Sequence, residues 1–229
     1  MLTAPIIITL DGPTASGKGA VAQALAERLG FAYLDSGALY RLVAWQALHA
    51  GWTLETHFDE EHKLQLADWA RHLNVVFVNN HIILNDADVT ESIRAEHVGN
   101  MASKIAVVSS VRTALLQRQR DFAQGRGLVA DGRDMGSVVF PDAPVKVFLT
   151  ASSEIRAERR YKQLINKGFS ANMRDLVADL NERDERDTKR IHAPLRPAQG
   201  AYVLDSTNLT LLETVEKILQ YYTSIAASD

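Results

Sequence analysis

A glycine-rich stretch near the N-terminus has the residue types and the spacing of a phosphate-binding loop. Gly12, Gly17 and Lys18 fit the pattern G-x-x-x-x-G-K between an apolar run and a segment with helical spacing. Glycines let the backbone curl until successive N–H groups point at phosphate oxygens, and the lysine reaches the β- and γ-phosphates. A simple turn is the plain alternative, and spacing and context together argue against it. The loop predicted to bind ATP, or a similar nucleoside triphosphate, comprises Gly12, Pro13, Thr14, Ala15, Ser16, Gly17, Lys18, Gly19 and Ala20.

This loop lacks the hydroxyl that usually binds Mg²⁺ beside the triphosphate. The Ser or Thr that follows the lysine in the common pattern is replaced by Gly19, with Ala20 after it. We expect the phosphates, water, Ser16 and a carboxylate from elsewhere to hold the ion. Asp131 ends the apolar strand Leu128-Val129-Ala130, where P-loop proteins place a magnesium-binding aspartate. We predict that it acts through water, although strand position alone also fits an aspartate that merely starts a loop.

Arginines follow two other strands that we expect at the same edge of the sheet. Arg41 lies within two turns of the start of the helix after the second strand, and Arg133 follows Asp131. Ligands collect at the carboxyl ends of parallel strands, so these arginines can hold a second anion there. A lone arginine is more often solvated, but two of them beside a phosphate loop favour a binding role.

The elements that must position these residues alternate between strand and helix. The order is strand, loop, helix, strand, helix, with Ser36 as the expected cap of the second helix, and this order implies a parallel sheet. We predict an α/β fold of the P-loop type, a three-layer α/β/α arrangement around a five-stranded parallel sheet. The predicted strands are 6–11, 31–34, 128–131, 145–149 and 202–204, and the predicted helices are 19–29, 39–50, 59–72, 91–108, 111–124, 153–167, 172–190 and 209–225.

A small insertion interrupts this alternation. Short strands at 75–78 and 82–84 flank Asn79-Asn80, which is a hairpin turn signal. Later in the chain, Arg183, Asp187 and Arg190 share one face of a strongly charged helix. By itself such a face indicates a solvated helix with internal salt bridges.

Composition excludes several classes of protein. A formal net charge of −3 argues against a general nucleic-acid binder. The chain has no cysteine, which excludes disulfides and Cys-based zinc sites. The N-terminus has no signal-peptide pattern, and no apolar run reaches the roughly 20 residues that span a bilayer. We therefore expect a cytoplasmic protein that contacts neither membrane nor nucleic acid.

Several stretches together resemble the bacterial cytidylate kinases, a branch of the P-loop nucleoside monophosphate kinases. The matching stretches are 11–19, 34–41, 130–146, 183–190 and 204–207, and those at 34–41 and 130–136 are specific to that branch. The resemblance implies transfer of the γ-phosphoryl group of ATP, with Mg²⁺, to CMP or dCMP. It also implies one monomeric domain, with a core at about 1–52, 101–168 and 196–229. An acceptor-binding insertion would lie at about 53–100 and a lid at about 169–195.

The resemblance also implies roles for individual side chains. Lys18, Arg133, Arg183 and Arg190 would neutralise the transferring phosphoryl group, and Arg156 and Arg160 would lie at the lid hinge near ATP. Arg183 and Asp187 match positions at the acceptor ribose, and Arg190 matches one near its phosphate and base. Arg41 and Arg133 would hold the acceptor phosphate, and Asp134 would accept a hydrogen bond from the cytosine amine. The remaining acceptor-binding positions are Ser36, Ser103 and Arg112.

Two other functions stay open on the sequence. One is a P-loop kinase of another nucleotide or of a shikimate-like alcohol, with Asp35 or Asp134 as its base. A phosphate acceptor, with a second pKa of about 6, needs no such base at pH 7. The other is a nucleotide-dependent switch that hydrolyses ATP slowly, and Gly19 argues against a GTPase-type switch.

Overall fold

The computed structural model describes residues 5–78, 81–166, 168, 170–191 and 193–226. The chain forms two compact units, one of Met1–Asp35 with Arg120–Asp229 and the other of Ser36–Gln119. The strands are β1 (Ile6–Asp11), β2 (Ala32–Asp35), β3 (Val75–Val78), β4 (His81–Leu84), β5 (Ala87–Asp88), β6 (Gly127–Gly132), β7 (Val145–Thr150) and β8 (Tyr202–Asp205). The α-helices are α1 (Lys18–Leu29), α2 (Ser36–His49), α3 (Glu60–Arg71), α4 (Glu96–Ile105), α5 (Ser109–Arg120), α6 (Ser153–Asn166), α7 (Met173–Lys189) and α8 (Leu211–Ala226).

The first unit contains the predicted parallel sheet. Its five strands lie in the order β2, β6, β1, β7, β8, and every neighbouring pair is parallel. The pairing aligns Asp11 with Gly132, and Asp35 with Asp131, so the polar strand ends share one edge. This confirms the α/β fold with a five-stranded parallel sheet. It also explains why aspartates far apart in sequence meet.

Helix α1, which follows the phosphate loop, packs against the hydrophobic core. Val21, Ala22, Leu25 and Ala26 form its buried face, which packs with strands β1, β6 and β7 and with α8. The helix ends at Gly30, whose positive φ lets its N–H bond to the carbonyls of Ala26 and Glu27. The helix predicted at 19–29 is confirmed, and its start at Lys18 places that lysine in the first turn.

Helix α7 changes character along one face. Asn172 caps it by accepting a hydrogen bond from the Arg174 N–H. The buried positions then run at helical spacing from apolar to charged, as Leu176, Leu180, Arg183 and Asp187. The solvated-helix interpretation of this segment is wrong, because its charged face is buried.

Sequence patterns did not predict the π-helical turn at Met135–Val139 that follows β6.

The second unit contains helices and a small antiparallel sheet. Strands β3 and β4 pair as predicted, β5 adds a short third strand, and Asn79 and Asn80 lie outside the described residues. The single helix predicted at 91–108 is wrong at its start. A 3-10 turn at Ser92–Arg94 precedes α4, because Ala95 leaves helical geometry. The Arg41 guanidinium donates hydrogen bonds to the carbonyls of Ile93 and Ala95.

Ser36 is the first residue of α2 rather than its cap. Its Oγ donates to Gln119 Oε1 at 2.7 Å, and both residues are buried. Across the described part of the chain, every helix is too short or too polar to cross a bilayer.

Candidate active site

The phosphate loop is a tightly curled segment between β1 and α1. Gly12, Ala15 and Gly17 all have positive φ angles, at 157°, 59° and 90°. Lys18 folds back so that its Nζ donates to the Pro13 carbonyl at 3.1 Å, and its side chain is buried. The loop therefore has the backbone that the glycine spacing predicts.

Gly12 is required by a close backbone approach. A Cβ at Gly12 would lie 2.1 Å from the Leu149 carbonyl oxygen, a distance that no relaxed structure accommodates. We expect Gly12→Ala to lower the free energy of unfolding by about 2 kcal/mol or more and to abolish ATP binding. Urea unfolding and calorimetric titration with ATP measure the two effects.

Gly30→Ala is the matched control for this change. Gly30 also has a positive φ, but a Cβ there would meet no atom within 4 Å. We expect it to cost about 1 kcal/mol and to leave ATP affinity unchanged. Equal ATP affinity in the Gly12→Ala and Gly30→Ala variants would contradict the assigned role of the loop.

Lys18 lies in a buried cluster of opposite charges. Burial and the charge of Arg133 lower the pKa of Lys18, and Asp131, Asp187 and Asp35 oppose that shift. Burial also raises the pKa of Asp131, with further contributions from Asp35 and Asp11, whereas Lys18 and Arg133 lower it. Dense buried charge of both signs is typical of sites that receive a charged ligand.

Arg133 joins the phosphate loop to α7. Its Nε donates to Asp187 Oδ2 at 2.9 Å, and its Nη2 donates to Thr14 Oγ1 at 2.9 Å. Burial alone would raise the pKa of Asp187, but Arg133, Arg190 and Arg183 together hold that pKa below its ordinary value. These residues come from three separate stretches of sequence, and the structure brings them together.

Beside the loop lies a cavity of about 590 Å³. Its lining residues include Gly17, Arg160, Ser206 and Thr210. Arg160, which the resemblance places near ATP, is therefore part of the cavity wall. Arg159, which sequence reasoning missed, lines it too. Its guanidinium donates to the carbonyls of Ser16 and Ser206 at 2.8 and 2.6 Å. Helix α6 carries three arginines between positions 156 and 160. Arg156 and Arg159 both bond backbone carbonyls of the phosphate loop, and sequence reasoning named only Arg156 and Arg160.

Asp11 is a second residue that sequence reasoning treated only as the end of a strand. Its carboxylate accepts hydrogen bonds from the N–H groups of Met135 and Gly136 at 2.8 and 2.9 Å. It thereby fixes the turn that follows Arg133 and Asp134. Burial raises the pKa of Asp11 to about 6, although the two N–H bonds act in the opposite direction.

The raised pKa of Asp11 predicts a pH effect on stability. Between its ordinary pKa of 3.8 and about 6, the folded chain binds a proton that the unfolded chain does not. The contribution of Asp11 to stability therefore increases as pH falls through 6. From pH 7 to pH 5, we expect the unfolding free energy of the unaltered chain to gain about 1 kcal/mol relative to Asp11→Asn. Urea unfolding at both pH values measures this difference. The same difference in unfolding free energy between the two proteins at pH 7 and pH 5 would contradict this prediction.

Two buried oxygens near the loop fit the predicted magnesium role. Asp131 Oδ1 and Ser16 Oγ have no hydrogen-bond partner among the residues that the structure describes. Asp131 Oδ2 accepts from the Tyr33 hydroxyl at 3.4 Å. A Cβ at Gly19 would lie 3.2 Å from that same oxygen, so a side chain at position 19 would require the Asp131 carboxylate to shift by a few tenths of an ångström. Gly19, which replaces the Ser or Thr of the common loop pattern, thus avoids a tight contact with Asp131.

The other predicted residues divide between the two units. In the first, Asp134, Arg156, Arg183 and Arg190 are buried, and Arg190 Nε donates to the Asp187 carbonyl at 3.2 Å. In the second, the predicted acceptor residues are Ser36, Arg41, Ser103 and Arg112. Arg112 Nη1 donates to the Ala106 carbonyl at 3.4 Å. The roles assigned to all of these residues stay predictions.

Comparison with known proteins gives a consistent result. A family model described as cytidylate kinase matches residues 8–224. The chain is 53% identical over 219 residues to a cytidylate kinase of Paraburkholderia phymatum, covering 96% of this chain and 93% of that protein. It is 54% identical over 216 residues to a cytidylate kinase of Bordetella pertussis, covering 94% of each.

A solved structure supports the fold assignment. A gluconokinase from Sinorhizobium meliloti 1021 has a similar fold, with a TM-score of 0.50, 16% identity, and coverage of 98% of this chain and 95% of that one. At this identity the likeness concerns the fold alone. The family match spans residues 8–224, which include the phosphate loop, Asp131, Arg133 and α7, and the two relatives each cover 94% or more of the chain. The chain belongs to the cytidylate kinase family.

Proposed function

We propose that this chain transfers the γ-phosphoryl group of ATP to CMP or dCMP, which yields ADP and CDP or dCDP. The observation that carries the proposal is the identity of 53–54% with cytidylate kinases over nearly the full chain. The charged cluster agrees with it: Lys18, Asp131 and Asp187 are buried, and the half-buried Arg133 pairs with Asp187.

The phosphate loop would bind the donor. Backbone N–H groups of the curled segment and the positive end of α1 favour phosphate oxygens. The adjacent cavity lined by Arg160 and Thr210 has room for the nucleoside of ATP. Asp131, through water, and Ser16 would hold Mg²⁺, and their unpartnered oxygens support this assignment. When bound, Mg²⁺ supplies charge neutralisation between the phosphates.

The transfer itself needs charge and alignment rather than a base. An oxygen of the acceptor phosphate forms a bond to the γ-phosphorus, and the bond from that phosphorus to the β–γ bridging oxygen breaks. The acceptor phosphate is mostly dianionic at pH 7, so no proton has to be removed first. Lys18, Arg133, Arg183 and Arg190 would neutralise the charge that gathers on the transferring group.

Asp134 is proposed to select cytosine. Its carboxylate would accept a hydrogen bond from the exocyclic amine and repel the carbonyl that uracil has at that position. We expect Asp134→Ala to lower the preference for CMP over UMP by roughly 1–3 kcal/mol, measured as the ratio of kcat/KM values. Unchanged selectivity would place base recognition elsewhere.

A panel of acceptors tests the proposed function. ADP formation from ATP would be measured with CMP, dCMP, UMP, AMP and shikimate, and without acceptor. We expect CMP and dCMP to give the highest kcat/KM. Faster reaction with UMP, AMP or the alcohol would indicate a kinase of another small molecule, and ATP hydrolysis independent of acceptor would indicate a switch. The monomeric state and cytoplasmic location expected from the sequence stay predictions.

A further inference from the structure

Thr14, at the tip of the phosphate loop, is held through all three of its polar groups. Its N–H donates to Asp184 Oδ1 at 3.3 Å, and its carbonyl accepts from Arg156 Nη1 at 3.1 Å. Its hydroxyl accepts from Arg133 Nη2 at 2.9 Å. The loop tip is thus fixed by side chains from α6, α7 and the segment after β6.

Asp184 closes one of these contacts into a ring. Its second carboxylate oxygen, Oδ2, accepts from the same Arg156 Nη1 that bonds the Thr14 carbonyl. The ring therefore runs from the Thr14 N–H through Asp184 and Arg156 to the Thr14 carbonyl. We name it the Thr14 ring. Arg156 is only 6% exposed, and a buried guanidinium requires a counter-charge of this kind.

The neighbouring acidic residues of α7 do not take part in this ring. Glu182 pairs with Arg186 and Glu185 pairs with Lys189, both on the helix surface. Asp187, one turn beyond Asp184, pairs with Arg133 instead. Helix α7 therefore meets the loop tip through two carboxylates. Asp184 bonds the Thr14 N–H directly and also pairs with Arg156, whereas Asp187 reaches Thr14 only through Arg133.

We propose that Asp184 is a positioning residue for phosphoryl transfer. It holds Arg156 against the phosphate loop and ties the loop tip to α7, without touching substrate itself. The inference rests on the proposed function and adds to it a residue that aligns the machinery. Because small misplacements of an aligned group have large effects on turnover, the loss of Asp184 would act on kcat.

Asp184→Asn tests this role with little change of shape. The amide keeps an acceptor for the Thr14 N–H, but it loses the charge that pairs with Arg156. We expect kcat with CMP to fall about tenfold while the KM for ATP changes less than threefold. The matched control is Glu185→Gln, on the same helix and on the surface, which we expect to match the unaltered chain. An Asp184→Asn variant with normal kcat would overturn the proposal.

A double-mutant cycle separates positioning from a general structural effect. If Asp184 acts through Arg156, then adding Asp184→Asn to Arg156→Gln lowers kcat no further than Arg156→Gln alone. Effects on kcat that multiply would overturn the proposal.

Should Asp184→Asn fail to fold, Asp184→Glu replaces it in the test, since it keeps the charge at a longer reach. A lowered kcat in Asp184→Glu supports the positioning role, and unchanged kinetics contradict it. An unaltered chain that lacks CMP-dependent activity would instead refute the proposed function.

Discussion

Changing Lys18 to alanine is expected to lower kcat by a factor on the order of 10² or more. Lys18 is the first residue of α1, and its buried side chain lies among Asp131, Asp187 and Arg133. The cluster holds the ammonium group where the donor phosphates would enter, so its removal takes away a charge aimed at the transition state. Steady-state ADP formation with saturating ATP and CMP measures the effect.

The matched control for this change is Lys104→Ala. Lys104 lies in the second unit, where its Nζ donates to the carbonyls of Leu54 and Thr56. We expect that variant to keep kcat within about twofold, because these contacts involve no residue of the phosphate loop. Near-normal kcat in Lys18→Ala would refute the assignment of the phosphate loop.

Changing Arg133 to methionine is expected to abolish measurable transfer and to destabilise the fold. The substitution leaves the buried Asp187 without its closest cation and takes the hydrogen bond from Thr14 Oγ1. Breaking a buried ion pair on one side costs about 3 kcal/mol or more. Thermal or urea unfolding measures the stability loss, and the coupled ADP assay measures transfer.

The double change Arg133→Met with Asp187→Asn distinguishes the two effects. It removes the stranded carboxylate charge, so we expect part of the lost stability to return. Activity should stay absent, because the cation that we propose to face the phosphoryl group is still missing. Recovery of transfer in the double variant would show that Arg133 serves the fold alone.

The fold and the phosphate loop could be predicted because their signals are local. Gly12, Gly17 and Lys18 lie within seven consecutive residues, and each strand of the sheet is one short apolar run. Once the sheet is parallel, the strand ends fall at one edge, and Asp131 and Arg133 come with them. Strand patterns therefore predict which polar residues meet.

The missed features depend on partners far away in the chain. Asp11 bonds the N–H groups of Met135 and Gly136, separated from it by 124 and 125 positions, and no local pattern encodes that contact. Ser36 was predicted to cap α2 from its local sequence, but its hydroxyl instead donates to Gln119, 83 positions away. The sequence pattern of α7 indicates a solvent-exposed charged face. Periodicity does not distinguish charged residues that face solvent from those buried against opposite charges.

One structure tests the central claim most directly: a crystal of the protein with a non-hydrolysable ATP analogue, Mg²⁺ and CMP. The account predicts analogue phosphates within about 3 Å of the backbone N–H groups of the phosphate loop and of Lys18 Nζ. It also predicts that Arg133 faces the phosphate of CMP. Phosphates bound elsewhere, or loop N–H groups that point away from them, would contradict the account.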